Sequence, residues 1–262
     1  MINEKLENEI FISKIIDKIN FCKNRNTIEC TDFLDINQKS IALDVLKSQK
    51  FNTYIINNDK DEFDRNIIIM YPEKLDVRIA KKYYEDIVSF IKIENSKNDK
   101  YEHRVYLSGI MKTGIKREKF GDILVNENDA SIIVFKELSN YLFKELKLLK
   151  RFQKSNITIN NIDGLVLKEK EFENINIIVH SLRLDNLVSE LTKCSRTKAK
   201  EIVENSKVFI NGKCEEKISK MLKTNDIITI RGKGKFIFDN IENKTKKDNF
   251  ILNIRKYKWY VN

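Results

Sequence analysis

Apolar residues recur along the first 75 residues with two different periods. An apolar stripe at helical spacing runs over residues 6–19, and residues 37–47 repeat that spacing. Two short apolar runs at residues 53–56 and 66–70 then predict strands separated by an acidic turn. The pattern therefore predicts a small N-terminal α/β domain over residues 1–75.

The next segment, residues 76–180, contains apolar runs with strand spacing and apolar runs with helical spacing. It predicts strands at residues 87–93, 121–125, 131–135 and 157–159, and helices at residues 102–111 and 136–149. The order β-α-β-β-α-β is that of a ferredoxin-like sheet, as in the RNA-recognition motif. The stacking aromatics of that motif are absent, because residues 131–136 carry aliphatic side chains instead. We therefore interpret this central RRM-like domain, with its linker, as a scaffold.

The pattern changes again over residues 181–262. It predicts helices at residues 181–191 and 196–204, and strands at residues 208–210, 226–231 and 236–238. Ser195 is placed to cap the second helix, and Asn211-Gly212 is a strong signal for a hairpin turn. The fold class is thus α+β, with two helices on a small sheet forming the C-terminal domain.

The end of this domain has two interpretations. Alternation over residues 250–257 fits one more strand, with Trp259 and Tyr260 packing against the body. Basic residues interleaved with aromatics also fit a surface that stacks on bases. We prefer the strand.

Charge is distributed unevenly between these segments. Residues 182–262 hold 19 Lys/Arg against 10 Asp/Glu, whereas the first 181 residues hold 30 against 29. Nearly all of the net charge of +10 therefore lies in the C-terminal domain. A near-neutral body with a basic domain is typical of a protein that binds a polyanion.

The same counts argue against several other classes of protein. No apolar run is long enough to cross a bilayer, and the N-terminus lacks the apolar core of a signal peptide. The four cysteines are scattered and only two histidines are present, which is typical of a cytoplasmic protein without a metal site. Since no catalytic triad, P-loop or cofactor motif is visible, we expect a protein that is not an enzyme and has no cofactor.

Several spaced motifs resemble the S-four RNA-binding domain, which is named for a small-subunit ribosomal protein. They are Arg183-Leu184-Asp185, Ser195-Arg196-x-x-Ala199, Val208-x-Ile210-Asn211-Gly212 and Asp226-x-Ile228-x-Ile230-Arg231-Gly232. Residues 103–124 and the C-terminal placement of this domain are similar to the YlmH family of bacteria. That family often has Gly-Gly-Tyr where this chain has Asn52-Thr53-Tyr54.

The resemblance implies a ribosome-associated quality-control factor. It implies binding to ribosomal RNA and tRNA on a large ribosomal subunit obstructed by peptidyl-tRNA, and support of C-terminal tailing of the nascent chain with a tailing factor. We expect a monomer with no membrane partner. The predicted RNA contacts are Arg183, Ser195, Arg196, Lys198, Lys200, Lys207, Asn211, Gly212 and Lys213, with Arg231, Lys233 and Lys235 as secondary candidates.

Three points stay open at this stage. The loop with Lys116, Arg117 and Lys119 could be a solvated turn, or could contact RNA, a partner or another domain. The Arg183 to Asp185 triplet also occurs in pseudouridine synthases, so an RNA-modifying enzyme (such a synthase or a methyltransferase) is the alternative function. A third possibility is an RNA-binding regulator that never docks on ribosomes.

Overall fold

The chain forms two compact units, Met1–Val166 and Leu167–Asn262. The computed structural model describes residues 2–57, 63–96, 99–167 and 171–258. The first unit contains both the predicted N-terminal and the predicted central segments. The division into three domains stays a prediction. Among the described residues, no helix combines the length and the apolar character that a bilayer-spanning helix needs.

The first unit contains two sheets and the helices that cover them. Its helices are α1 (Ile2–Arg25), α2 (Ile36–Ser48), α3 (Val77–Ile87), α4 (His103–Lys112) and α5 (Lys136–Leu148). Its strands are β1 (Glu29–Cys30), β2 (Tyr54–Ile56), β3 (Ile68–Met70), β4 (Val88–Glu94), β5 (Phe120–Val125), β6 (Asp129–Phe135) and β7 (Asn156–Asn161). The smaller sheet has the order β1-β3-β2, and apolar side chains of α1 and α2 pack on it.

The larger sheet of this unit confirms the predicted ferredoxin-like order. Its strands lie in the order β5-β6-β4-β7 with all neighbours antiparallel. Apolar side chains of α4 and α5, such as Tyr106 and Leu142, pack with Ile132 and Val134 on one face. Because strand side chains alternate, Ile133 points to the other face.

That other face is covered in part by the N-terminal segment. The Phe33 ring lies 4.9 Å from the Phe135 ring. A Cβ atom at Gly121 would come within 2.7 Å of the Phe33 side chain, so only glycine allows this close approach. An RNA-recognition motif stacks bases on this face of its sheet. Here Phe33 occupies part of the face, which agrees with our interpretation of the sheet as a scaffold.

The second unit is one six-stranded sheet with two helices on it. Its elements are β8 (Phe172–Val179), α6 (Leu184–Thr192), α7 (Arg196–Glu204), β9 (Val208–Ile210), β10 (Lys213–Cys214), β11 (Ile227–Ile230), β12 (Gly234–Lys244) and β13 (Phe250–Tyr257). The strands lie in the order β10-β9-β11-β12-β13-β8. Leu187 of α6 and Val203 of α7 pack on this sheet, in a core that includes Leu252 of β13.

Most elements of this unit agree with the prediction. Helix α7 and strand β9 begin and end where the sequence places them, and β13 confirms the predicted final strand. Asn211 and Gly212 have φ of 51° and 81°, as a two-residue hairpin turn requires. The predicted packing of Trp259 and Tyr260 lies outside the described residues, as does most of the predicted turn between β2 and β3.

Among the longer elements, helix α3 and strand β8 were not predicted. Helix α3 begins behind Asp76, whose carboxylate accepts the Arg78 backbone N–H, a capping signal that was present in the sequence. Strand β8 lies in the segment that was assigned to the central domain and its linker. It pairs with β13 along its whole length and therefore belongs to the second unit.

Candidate RNA interface

One buried carboxylate connects the starts of α6 and α7. Asp185 is completely buried, and its carboxylate accepts hydrogen bonds from Arg183 Nε at 3.0 Å and Nη2 at 3.3 Å. It also accepts one from Arg196 Nε at 3.3 Å. The backbone N–H of Asp185 donates to the Ile218 carbonyl, 3.2 Å away, which fixes the carboxylate. The two arginines are thus held at fixed positions by the same acidic group.

The electrostatics of this cluster favour the ionised forms of Asp185 and Arg183. Burial by itself raises the pKa of Asp185, but hydrogen bonds and charge from Arg183 and Arg196 outweigh it and hold that pKa below its usual value. The arginine side chains remain 34% and 56% exposed. Within the described residues, these three bonds are the only ones that the two guanidiniums make. Since a guanidinium carries five N–H donors, both keep donors for an anion such as a phosphate.

The rest of helix α7 extends this basic surface. Ser195 caps the helix, because its Oγ accepts the Lys198 backbone N–H at 3.3 Å. Lys198 is exposed and Lys200, one turn after Arg196, is half-buried. Ser195 is therefore explained by its capping role, and the basic side chains are the better candidates for contact with RNA.

A second group of predicted residues lies where α7 leads into the sheet. Lys207 and Arg231 are neighbours, because the Arg231 N–H donates to the Lys207 carbonyl at 2.9 Å. Lys233 stands in the tight turn between β11 and β12. All three side chains are exposed. Arg196 begins α7 and Lys207 follows its end, and a nine-residue helix is about 14 Å long.

The hairpin of Asn211, Gly212 and Lys213 lies at the far end of β9 from Lys207. The Asn211 side chain is engaged within the fold, since its Oδ1 accepts the Ile227 N–H at 2.9 Å and its Nδ2 donates to Asp226 at 2.8 Å. Of the three residues, Lys213 is the one with an exposed charge.

Lys235 differs from the other predicted contacts because it is only 7% exposed. The sequence pattern predicts a strand from Phe236, whereas β12 begins at Gly234 and lies between β11 and β13. The Lys235 ammonium consequently lies over the Tyr257 ring, 5.2 Å from its centre. This position does not suit direct contact with RNA.

The loop of Lys116, Arg117 and Lys119 is engaged largely inside the first unit. Arg117 donates to the Phe120 and Gly121 carbonyls at 2.8 and 3.1 Å. Burial, aided by the charge of Arg65, lowers the pKa of Arg117 to about 10. Lys119 forms a 2.7 Å ion pair with Asp32. Of the alternatives for this loop, the structure shows contact with the N-terminal segment.

The fold and the paired arginines define the second unit as an RNA-binding domain of the S4 type, the S-four domain of the sequence analysis. The S4 domain model matches residues 182–228, and a family model described as "Putative RNA-binding domain in YlmH" matches residues 82–164. A curated relative, the ribosome-associated protein quality control protein P2 of Bacillus subtilis (strain 168), is 26% identical over 250 residues, which cover 95% of each chain. The chain is therefore similar to YlmH-type proteins in both of its matched domains.

A solved structure shares the fold. The cell division protein ylmH from Streptococcus pneumoniae matches with a TM-score of 0.50 and 19% identity, covering 62% of this chain and 95% of that one.

The hydrogen bond between Arg196 and Asp185 was not predicted from the sequence. The bond from Arg183 to Asp185 joins two residues of one sequence triplet. The bond from Arg196 crosses 11 positions of the chain. The motif residues Arg183, Asp185 and Arg196 were all visible in the sequence, and only their contact was not.

Proposed function

We propose that this protein binds structured RNA on the large ribosomal subunit, contacting ribosomal RNA and tRNA, in quality control of stalled translation. The observation that carries this proposal is the pair of arginines held by one buried carboxylate. Arginines that are fixed before binding lose little conformational freedom when they meet phosphates, so they suit a folded RNA backbone with a fixed phosphate spacing. The name of the Bacillus relative supports the ribosomal setting.

Two finer parts of the proposal follow from the family. The protein acts in the cytoplasm as a monomer, and it supports C-terminal tailing of the stalled nascent chain together with a tailing factor. The engagement of Asp185 by two guanidiniums favours a binding role over a catalytic one, since a catalytic carboxylate needs access to substrate. The family model over residues 82–164 also describes an RNA-binding domain.

Cosedimentation with purified large ribosomal subunits tests the proposal. The variant Arg196→Ala/Lys200→Ala should reduce the bound fraction at least about tenfold, because two phosphate contacts are lost. The matched control is Lys246→Ala/Lys247→Ala, which removes the same charge from exposed positions in the turn between β12 and β13. Equal cosedimentation of wild type and the first variant, with both folded, would contradict the proposal.

A further inference from the structure

A second concentration of positive charge lies in the otherwise neutral first unit. Residues 144–154 contain five basic side chains and one acidic side chain, whereas the rest of residues 1–166 contains 23 basic and 25 acidic ones. The segment therefore accounts for the whole positive net charge of that unit. Its cations are Lys144, Lys147, Lys150, Arg151 and Lys154.

These five cations are accessible and lack acidic partners. The four lysines are exposed and Arg151 is half-buried. Within the described part of the chain, none of the five forms an ion pair. Lys147 lies over the Phe143 ring, 4.3 Å from its centre, which leaves its charge at the surface. The patch is thus an uncompensated surface charge of a kind that attracts an anion.

The backbone that carries the patch is firmly held. Helix α5 ends at Leu148, and a short 3-10 helix, Lys150–Phe152, follows it. The fully buried Phe152 ring stacks on Tyr106 with a centroid distance of 5.5 Å. The Tyr101 hydroxyl donates to the Arg151 carbonyl at 3.0 Å. Packing on both sides of the turn keeps the cations at a set spacing, as recognition of a folded polyanion requires.

A lysine-rich face that contacts only water explains this patch less well than an anion-binding surface does. Favourable interaction with the helix dipole accounts for a lysine in the last turn of α5, such as Lys147. It does not account for Lys150, Arg151 and Lys154, which follow the end of the helix. A solvated face usually mixes both signs of charge, and here a single acidic residue accompanies five basic ones.

Two further observations favour RNA as the occupant. The family model over residues 82–164 describes an RNA-binding domain, yet its sheet is partly covered by Phe33 and its other basic loop is engaged within the unit. The segment 144–154 is a basic surface of this domain that stays exposed. We infer that it is a second RNA-binding surface, on the helical side of the central sheet, which contacts RNA phosphates. This inference rests on the proposed function and adds a site to it.

The test measures affinity of the full chain for purified large ribosomal subunits over a range of salt, from about 50 to about 300 mM. Lys150→Ala/Lys154→Ala should weaken binding about tenfold at low salt and make the slope of log affinity against log salt shallower by about 2. The control Lys14→Ala/Lys81→Ala removes two exposed charges from the same unit and should leave both quantities unchanged.

The outcomes separate the two proposals. If wild type fails to bind the subunits, the proposed function is wrong. If wild type binds and both double variants bind equally well, the second surface is wrong and the proposed function stands. Weaker binding with an unchanged salt slope would also overturn the inference, since phosphate contacts must change the slope.

A photo-crosslinker placed at Leu148 gives an independent measurement. This side chain is 71% exposed between the lysines, so Leu148→p-benzoylphenylalanine should leave the fold unchanged. We expect it to crosslink to ribosomal RNA or tRNA on the subunit. Crosslinks to ribosomal proteins alone would overturn the inference.

Discussion

The loop of residues 116–119 and the starts of α6 and α7 are both rich in positive charge, but the structure uses that charge in different ways. In the loop, Arg117 donates to backbone carbonyls and Lys119 pairs with Asp32, so both cations stabilise the first unit. At the helix starts, Arg183 and Arg196 share one buried carboxylate and keep donors at the surface.

This difference shows how a basic side chain that stabilises the fold can be distinguished from one that is available to bind a ligand. A cation that is matched by its own neighbours has little left to offer a ligand. Two cations that share a single fixed carboxylate carry a net positive charge and are already in position. A count of Lys and Arg does not distinguish the two regions. The hydrogen-bond and ion-pair partners of the cations do.

The largest effect is expected from removing the shared carboxylate. Asp185→Asn should lower the free energy of unfolding of the second unit by about 2–3 kcal/mol, because an amide presents an N–H group to the guanidiniums. Affinity for large subunits should also fall, since the arginines lose their common anchor. Hydrogen exchange in increasing urea measures the stability of each unit separately. Unchanged exchange of the α6 and α7 amides would show that the cluster does not hold the helices.

The next effect concerns the contact that covers the central sheet. Gly121→Ala should destabilise the first unit by about 1–2 kcal/mol, because its Cβ would lie 2.7 Å from the Phe33 side chain. The second unit should keep its stability and its affinity for RNA. The reverse pattern, with α6 and α7 losing protection and the first unit unaffected, would contradict this assignment of the contact.

A smaller effect should appear as pH falls. The pKa of Asp185 is below its usual value in the folded state, so its stabilising contribution is complete above about pH 4, the ordinary carboxyl value, and is lost on acidification. The stability advantage of wild type over Asp185→Asn should therefore shrink as the pH falls from about 5 to about 2. Hydrogen exchange in urea at several pH values measures this difference. A constant advantage would show that the ion pairs do not depress that pKa.

Local signals in the sequence predicted much of the second unit. Ser195 marks the start of α7, and Asn211 and Gly212 mark the hairpin after β9, because capping and turn formation depend on neighbouring residues. Strand β8 carried a usable signal as well, since Ile175 and Ile177 flank the polar Asn176 in a run that continues to Val179, and Ile177 and Val179 are buried. It was missed because its partner β13 lies more than 70 residues further along the chain.

The candidate site was predictable in its residue types and unpredictable in its pairing. The sequence predicted Arg183 and Arg196 as RNA contacts, but the bond that joins Arg196 to Asp185 depends on how α6 and α7 pack. The burial of Lys235 likewise depends on β12 being an interior strand. Lys119 pairs with Asp32 across 87 positions, which no local pattern encodes.

The smallest effect should come from Lys119, and it sharpens the comparison most directly. Both partners of its ion pair with Asp32 are well exposed, at 39% and 44%, so water and salt screen the interaction. Lys119→Ala should therefore cost the first unit less than about 0.5 kcal/mol. Because the cation already has a partner within the unit, affinity for large ribosomal subunits should stay within about twofold of wild type, and the salt slope should not change.

Lys81→Ala is the matched control, since it removes one exposed charge from the same unit. A tenfold loss of affinity on replacing Lys119 alone, with stability preserved, would place residues 116–119 on the RNA-binding surface and would mean that a cation paired within the fold can still serve as a contact.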